Sequence, residues 1–245
     1  MSFILKKKFG QNFLIDKNIL NKISLLIHSE NLNILEIGPG DGKLTDKIIL
    51  RKPSHLTLVE IDRDLIEPLN KKYKDIEKIE IINENILDFE VKKKYEIVIS
   101  NLPYNISSQI LVKLSLLNYI PENLILMFQK EFASRLIDSK LNSINSLVKC
   151  FYNVESNFNV SRNCFRPIPK VDSSLLTFKK IKKSLLNKNE VNDFILFKRL
   201  LFSQKRKSLK KILKKYYLDD KFDLSLRVES LKLDELIKIF RAVNL

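Results

Sequence analysis

Asn101-Leu102-Pro103-Tyr104 closes an apolar run and has the most specific chemical content in this chain of 245 residues. An exocyclic adenine amine is a poor nucleophile because its lone pair is delocalised into the ring. The side-chain oxygen of Asn101 and the backbone carbonyl of Leu102 could accept its two hydrogens, turn the nitrogen pyramidal and aim the lone pair at an incoming methyl. Pro103 fixes the backbone angle at that point. Tyr104 offers an aromatic face to a base taken out of its helix. No general base is needed, because the cationic amine formed is acidic enough to lose its proton afterwards. The plainer reading is a strand-ending turn with a buried tyrosine.

A second constellation lies upstream. Asn33–Ile37 runs into Gly38-Pro39-Gly40-Asp41-Gly42, with a helix expected from Lys43. Glycines let the backbone turn sharply and approach a nucleotide closely. The spacing is G-x-G-x-G rather than the G-x-G-x-x-G that seats a pyrophosphate. Glu60 stands 22 residues after Gly38, where a carboxylate can accept both hydrogens of a ribose diol. Loop and acid together indicate an adenosine-containing cofactor of open identity. For the adenine amine, the sequence offers the Asn85 amide oxygen, with Glu84 and Asp88 as neighbouring carboxylates; Asn85 is the preferred contact.

These residues need a frame. Asn33–Ile37, His55–Ile61, Lys78–Ile82, Glu96–Ser100 and Asn123–Phe128 read as buried strands, with helical spacing over Leu44–Leu50 and Leu65–Tyr73. Such alternation predicts an α/β fold with βαβ units and a mostly parallel sheet. Phe151–Val160 and Ser173–Phe178 are expected to pair antiparallel at one edge. Beyond Phe178 the pattern turns helical, over Val191–Tyr217 and near Asp234–Val243. The expected division is therefore residues 1–178 as a catalytic domain and 179–245 as a small all-helical basic domain.

Charge supports a polyanionic partner. The formal net charge is +15, with 44 Lys and Arg against 29 Asp and Glu. Between Lys179 and Lys215 there are 14 basic residues against two acidic ones, a clustering that favours a nucleic-acid footprint over a solvated face. Lys205, Arg206, Lys207, Lys210 and Lys211, with Lys214 and Lys215, fall on what reads as one helical run, and Leu209, Ile212 and Leu213 form its apolar stripe. Cys150 and Cys164 lack the spacing of a disulfide framework or a zinc site, so ordinary cytosolic thiols and no metal are expected. No apolar run approaches the ~20 residues of a membrane span, and the amino-terminal charges follow the short apolar stretch, the reverse of a signal peptide.

With these motifs together, the chain resembles the ribosomal RNA adenine N6,N6-dimethyltransferases of the small-subunit type over nearly its whole length. Lys8–Leu14 is similar to the family's amino-terminal cofactor segment, in which Asn12 and Leu14 touch the cofactor. Gly38, Gly40, Glu60, Asn85 and Asn101 fall on the other cofactor positions, Asn85 replacing the usual Asp. Asn101–Ser107 matches the catalytic motif. Phe165–Ser173 resembles a later motif in which Phe165 faces the target base opposite Tyr104, with Lys170 in the same stretch beside the RNA. Phe202–Leu209 is similar to the basic helix of the tail. Asn142–Asn145 departs from the Tyr-Gly that relatives carry. The resemblance implies a Rossmann-like class I methyltransferase: a doubly wound, seven-stranded sheet, mostly parallel with an antiparallel last strand, and S-adenosylmethionine as donor. It further implies dimethylation of two adjacent adenosines in a hairpin loop near the 3′ end of small-subunit ribosomal RNA, by a cytoplasmic, monomeric protein that meets the RNA in a partly assembled subunit.

Three rivals compete with this: a large-subunit adenine methylase, a non-catalytic nucleic-acid-binding factor on the same fold, and a nicotinamide oxidoreductase. The Asn-Leu-Pro-Tyr-Asn-Ile-Ser and Pro-Lys-Val-Asp-Ser strings favour the small-subunit type over the first. Intact Asn101, Tyr104 and Glu60 argue against a pure binder, and the glycine spacing disfavours the oxidoreductase.

Overall fold

The structure is a computed structural model and describes residues 11–216, 218 and 222–243. Its strands are β1 Phe13–Leu14, β2 Asn33–Ile37, β3 His55–Glu60, β4 Ile79–Asn83, β5 Ile97–Asn101, β6 Asn123–Gln129, β7 Tyr152–Val160, β8 Phe165–Arg166 and β9 Ser173–Lys180. Its α-helices are α1 Lys17–Ser24, α2 Lys43–Ile49, α3 Arg63–Tyr73, α4 Ser107–Leu116, α5 Lys130–Ile137, α6 Asn145–Val148, α7 Lys188–Ser203, α8 Leu209–Ile212 and α9 Leu233–Ala242.

Seven strands form one sheet in the order β4-β3-β2-β5-β6-β9-β7. β2/β3, β2/β5, β3/β4 and β5/β6 pair parallel, and β9 runs antiparallel to β6. This is the doubly wound sheet with an antiparallel last strand that the sequence leads one to expect. The central strands are apolar on both faces because both are covered: Ile34, Leu35, Leu56, Leu58, Val98, Ile99, Leu124 and Leu126 are all fully buried. Chain order reverses between β2 and β5, which opens a crevice at their carboxyl ends. β1 and β8 form a separate two-stranded ribbon, pairing Phe13 with Arg166 and Leu14 with Phe165.

The chain divides into two compact units, residues 1–133 with Val154–Lys180, and Ser134–Asn153 with residues 181–245. The expected boundary near residue 178 lies close to Lys180, but the second unit also takes in Ser134–Asn153, which the sequence assigns to the first. Backbone bonds explain the difference. The Ile181 amide donates to the Phe151 carbonyl and the Leu185 amide to the Cys150 carbonyl, each at 2.9 Å. The buried Lys198 ammonium also donates to the Ser143 carbonyl, and burial pushes its pKa down to about 8.

Within this second unit α7 starts in a capping box of Asn187 and Glu190. It packs Phe194 edge-on against Phe240 of α9 at 5.2 Å between ring centroids. The long helix expected over Val191–Tyr217 is interrupted: α7 stops at Ser203, residues 204–207 turn, and α8 is a separate four-residue helix. The Leu209 amide there bonds the Leu226 carbonyl at 2.8 Å, and Ser208 bridges to Arg227. Backbone groups needed to continue one helix are thus drawn into a long-range contact that no local periodicity records. Tyr217 lies outside the described residues.

Candidate active site

Strand register brings the separate motifs together. Glu36 on β2 is paired with Ile99 on β5, so Gly38 and Asn101 both lie two residues beyond the same pair. Ile37 is paired with Val59, and Glu60 with Asn83. The ends of β4, β3, β2 and β5 therefore present Asn85, Glu60, Gly38 and Asn101 side by side. They line one cleft of about 700 Å³ (open mouth included) together with Asn12, Phe13, Gly40, Glu84, Leu102, Pro103 and Tyr104. Gln11, Ile37, Val59, Ile61, Ile86 and Ile106 complete its wall.

The glycine turn is bound tightly to its surroundings. Gly38, Gly40 and Gly42 all have positive φ, a region that L side chains rarely adopt. The Gly38 amide donates to the Val59 carbonyl at 2.9 Å. At Gly40, a Cβ would fall 2.7 Å from the Phe13 ring, so only a glycine lets that ring close over the turn. The Glu60 carboxylate accepts from the Gly40 amide at 3.1 Å and from the Asp62 amide at 2.9 Å. Burial pushes the Glu60 carboxyl above its ordinary value, while the amides of Asp62 and Gly40 pull it back. A carboxylate has about four acceptor sites, so acceptor capacity remains for a diol. From α3, the Tyr73 hydroxyl shares its one hydrogen between the Gly42 carbonyl at 2.7 Å and Asp46 at 2.8 Å. Beneath the turn, fully buried Glu36 accepts from the Thr45 hydroxyl at 2.7 Å. Burial raises its pKa to about 8.

On the other side, the Asn101 Nδ2 donates to the Asn12 carbonyl at 2.8 Å. That bond fixes which end of the amide is which and leaves Oδ1 as an acceptor on a residue of the cleft wall. The Pro103 carbonyl accepts from the Ile106 amide at 3.2 Å and the Tyr104 carbonyl from the Ser107 hydroxyl at 3.2 Å, so the tetrapeptide is a turn braced by its own chain. The Tyr104 hydroxyl meets the Ser173 hydroxyl at 2.6 Å. Burial raises its pKa, and the Ser173 bond acts in the opposite direction.

Two expectations change. Phe165 does not reach the cleft: its side chain is fully buried in the hydrophobic core, and pairing with Leu14 on the β1–β8 ribbon turns it inward. Leu14 is likewise a core residue, 5% exposed, lining a smaller cavity beneath the glycine turn with Leu20, Glu36 and Leu44. Asn85 is in place, but its Oδ1 accepts from the Leu87 amide at 3.1 Å and its Nδ2 donates to Asp88 at 2.9 Å. Of the two carboxylates near it, Glu84 lines the cleft and Asp88 does not. Asp62, two residues beyond Glu60, caps α3 and accepts from the Gln11 side-chain amide at 2.8 Å.

Sequence reasoning passed over Phe13, Ile61 and Ser173. Phe13 and Ser173 lie within strings it singled out, and Ile61 directly follows Glu60. Lys8, Phe9 and Gly10 of the amino-terminal segment, with Lys6 and Lys7, lie outside the described residues. Lys170, Lys205, Arg206, Lys207, Lys210 and Lys211 are all exposed and none lines the cleft. Lys205 is paired with Glu229 at 3.1 Å.

Residues 2–242 match the Ribosomal RNA adenine dimethylase family. The chain is 36% identical over 250 residues to the Ribosomal RNA small subunit methyltransferase A of Mycoplasmopsis pulmonis, covering 96% of this chain and 97% of that one. It is 40% identical to the protein of the same description in Malacoplasma penetrans, covering 91% and 85%. Among solved structures, a dimethyladenosine transferase from Plasmodium falciparum superposes with a TM-score of 0.81 at 26% identity, covering 93% of this chain and 95% of that one. With this sheet, this cleft and a match over nearly its full length, the chain belongs to the Ribosomal RNA adenine dimethylase family.

Proposed function

We propose that this protein dimethylates the N6 amines of two adjacent adenosines in a hairpin loop near the 3′ end of small-subunit ribosomal RNA, with S-adenosylmethionine as donor. One observation carries the reading: an amine-polarising turn, Asn101–Tyr104, shares a cleft with a glycine turn and a diol-binding acid. The residues fit the donor. Glu60 keeps acceptor capacity for the ribose hydroxyls, Gly38 and Gly40 present bare backbone, and Ile61 and Ile86 supply apolar walls for an adenine. Glu84 and Asn85 stand where its amine would be met. When bound, the donor supplies an electrophilic methyl carried on a sulfonium.

The chain's own part is to hold the target amine. Asn101 Oδ1 and the Leu102 carbonyl accept its hydrogens and draw the nitrogen lone pair out of the ring system. Tyr104 stacks against the extruded base, with its ring held by Ser173. With Phe165 in the core, the opposite face of the base has no ring from that residue. The proton leaves to water after transfer.

The exposed cations of the second unit serve the phosphate backbone, adding affinity without choosing the base. The protein works as a monomer in the cytoplasm, on a subunit still being assembled. Curated relatives described as small-subunit methyltransferases support the choice of RNA. Among the described residues no helix is long and apolar enough to cross a membrane.

The test is incubation with isotopically labelled donor and, separately, small- and large-subunit RNA, followed by mapping of modified adenosines. Dimethyladenosine at two adjacent positions of the small-subunit RNA is expected. Label in large-subunit RNA alone, or in neither, would overturn the proposal.

A further inference from the structure

The segment between β8 and β9 runs from one wall of the cleft to another. Arg166, at its start, is paired with Phe13, and Ser173, at its end, meets the Tyr104 hydroxyl at 2.6 Å. Both Phe13 and Tyr104 line the cleft, so residues 167–172 form a rim segment tied at each end to a residue of the cleft wall. This rim is braced. The Asp172 carbonyl accepts from the Lys130 amide at 3.0 Å, and its carboxylate accepts from the Arg162 amide at 2.9 Å. The Arg162 guanidinium donates to the Lys170 carbonyl at 3.4 Å, and the Arg166 guanidinium to the carbonyls of Asn163 and Phe165 at 3.2 and 2.8 Å. Yet the braced loop holds two aliphatic side chains in solvent, Ile168 at 53% and Val171 at 43% exposed. Exposed cations, Arg162, Arg166 and Lys170, flank them along the chain.

Exposed aliphatic residues scattered singly are ordinary, and Leu50, 69% exposed on the same unit, is one. Ile168 differs in its place on a braced segment tied at both ends to cleft walls and in the cations that flank it along the chain. A base enters such a cleft only after leaving its stack, and the unstacked state is stabilised when an apolar side chain fills the vacated step.

We propose that Ile168, assisted by Val171, is a wedge that fills the base step vacated by the target adenosine, while Arg166 and Lys170 hold the flanking phosphates. The proposal rests on the adenosine-methylation reading and deepens it: the preferred substrate is an RNA in which the adenosine is stacked. Its occupant is therefore nucleic acid and not a protein surface.

The experiment compares a hairpin bearing the adjacent adenosines with a linear strand of the same loop sequence. Readouts are kcat/KM for methyl transfer and the fluorescence of 2-aminopurine at the target position, which reports extrusion without any transfer. Ile168→Ala should lower kcat/KM on the hairpin about tenfold, roughly 1.4 kcal/mol, and diminish the fluorescence rise. On the linear strand the loss should stay under about twofold, because there is little stacking to disrupt. Ile168→Leu should restore the hairpin activity, and Leu50→Ala should leave both RNAs unaffected. An equal loss on both RNAs, or none on the hairpin, overturns the wedge while leaving the methylation reading intact. A loss seen only on a ribosomal particle assigns Ile168 to a protein contact and also overturns it. Wild-type protein that methylates neither RNA overturns the underlying reading and the wedge with it.

Discussion

On the glycine-turn side of the cleft, Glu60 accepts two backbone amides, Tyr73 closes on the Gly42 carbonyl and Glu36 holds the Thr45 hydroxyl. On the Asn101 side, the amide is fixed through one bond to Asn12 and the Tyr104 ring through one bond to Ser173. The first wall is a preformed mould whose polar groups restrain one another. The second keeps acceptor capacity and an aromatic face for a group that arrives from outside. Substitutions on the two walls should therefore fail differently, the first in donor affinity and the second in turnover.

The largest effect is expected at Asn101. Asn101→Ala should lower kcat by about 10²-fold or more, the usual size for loss of a positioned polar stabiliser, with little change in RNA affinity. Steady-state kinetics alongside calorimetry would show it, and near-normal turnover would break the contrast between the walls. Next comes Glu60→Ala. Losing a hydrogen bond to a charged group is worth about 1.5–3 kcal/mol, so the donor Kd should rise roughly ten- to hundredfold while RNA binding holds. Unchanged donor affinity would remove Glu60 from the mould.

Tyr104 sharpens the comparison by degrees. Base stacking is worth about 1–3 kcal/mol, so Tyr104→Ala should cut kcat/KM strongly. Tyr104→Phe keeps the ring and loses only the Ser173 bond, about 1 kcal/mol, for a loss of roughly fivefold. If removing the hydroxyl hurts as much as removing the ring, stacking is not its role.

The lysines beyond the sheet unit give a contrast of another kind. Each contacted phosphate adds about 0.7–0.9 to the slope of log affinity against log salt. Reversing Lys207, Lys210 and Lys211 to Glu should reduce that slope by roughly two to three units. Donor affinity should be untouched, as none of the three lines the cleft. A wild-type slope in the triple variant would place the phosphate track elsewhere, along Lys6–Lys8 and Arg166–Lys170.

A last effect, on stability and not on catalysis, lies beneath the mould. The Glu36 carboxyl is raised from 4.5 to about 8, so between those values the folded chain retains a proton that the unfolded chain releases. Stability attributable to this group then falls as pH rises through the window, by up to about 1.4 kcal/mol per pH unit. Glu36→Gln keeps an acceptor for Thr45 without the titration. Urea unfolding at pH 5, 6.5 and 8 should show wild type losing ground to the variant, and parallel pH profiles would refute the assignment.

Much of this is legible in the sequence. The buried parallel strands announce themselves as short β-branched runs, because a strand covered on both faces must be apolar throughout. β2 begins and ends at the expected residues, Asn33 and Ile37, and α9 falls within a residue of Asp234–Val243. The glycine turn was readable because positive φ restricts residue choice, and Asn-Leu-Pro-Tyr because few other functions call for that string. The tail was less legible. Lysines at helical spacing do not reveal that the chain turns at residues 204–207, since the break depends on a partner at Leu224–Arg227.

The amino-acid sequence alone determined the fold class, the strand ends that carry chemistry and the identity of the polar groups there, because those depend on local pattern and backbone restriction. Tertiary structure decided which groups face the cleft. Register alone puts Gly38 level with Asn101, and the β1–β8 ribbon alone turns Phe165 and Leu14 into the core while leaving Phe13 against Gly40. Side-chain direction alternates along a strand, so a residue's membership in a motif does not settle its direction until the neighbouring strand is in place.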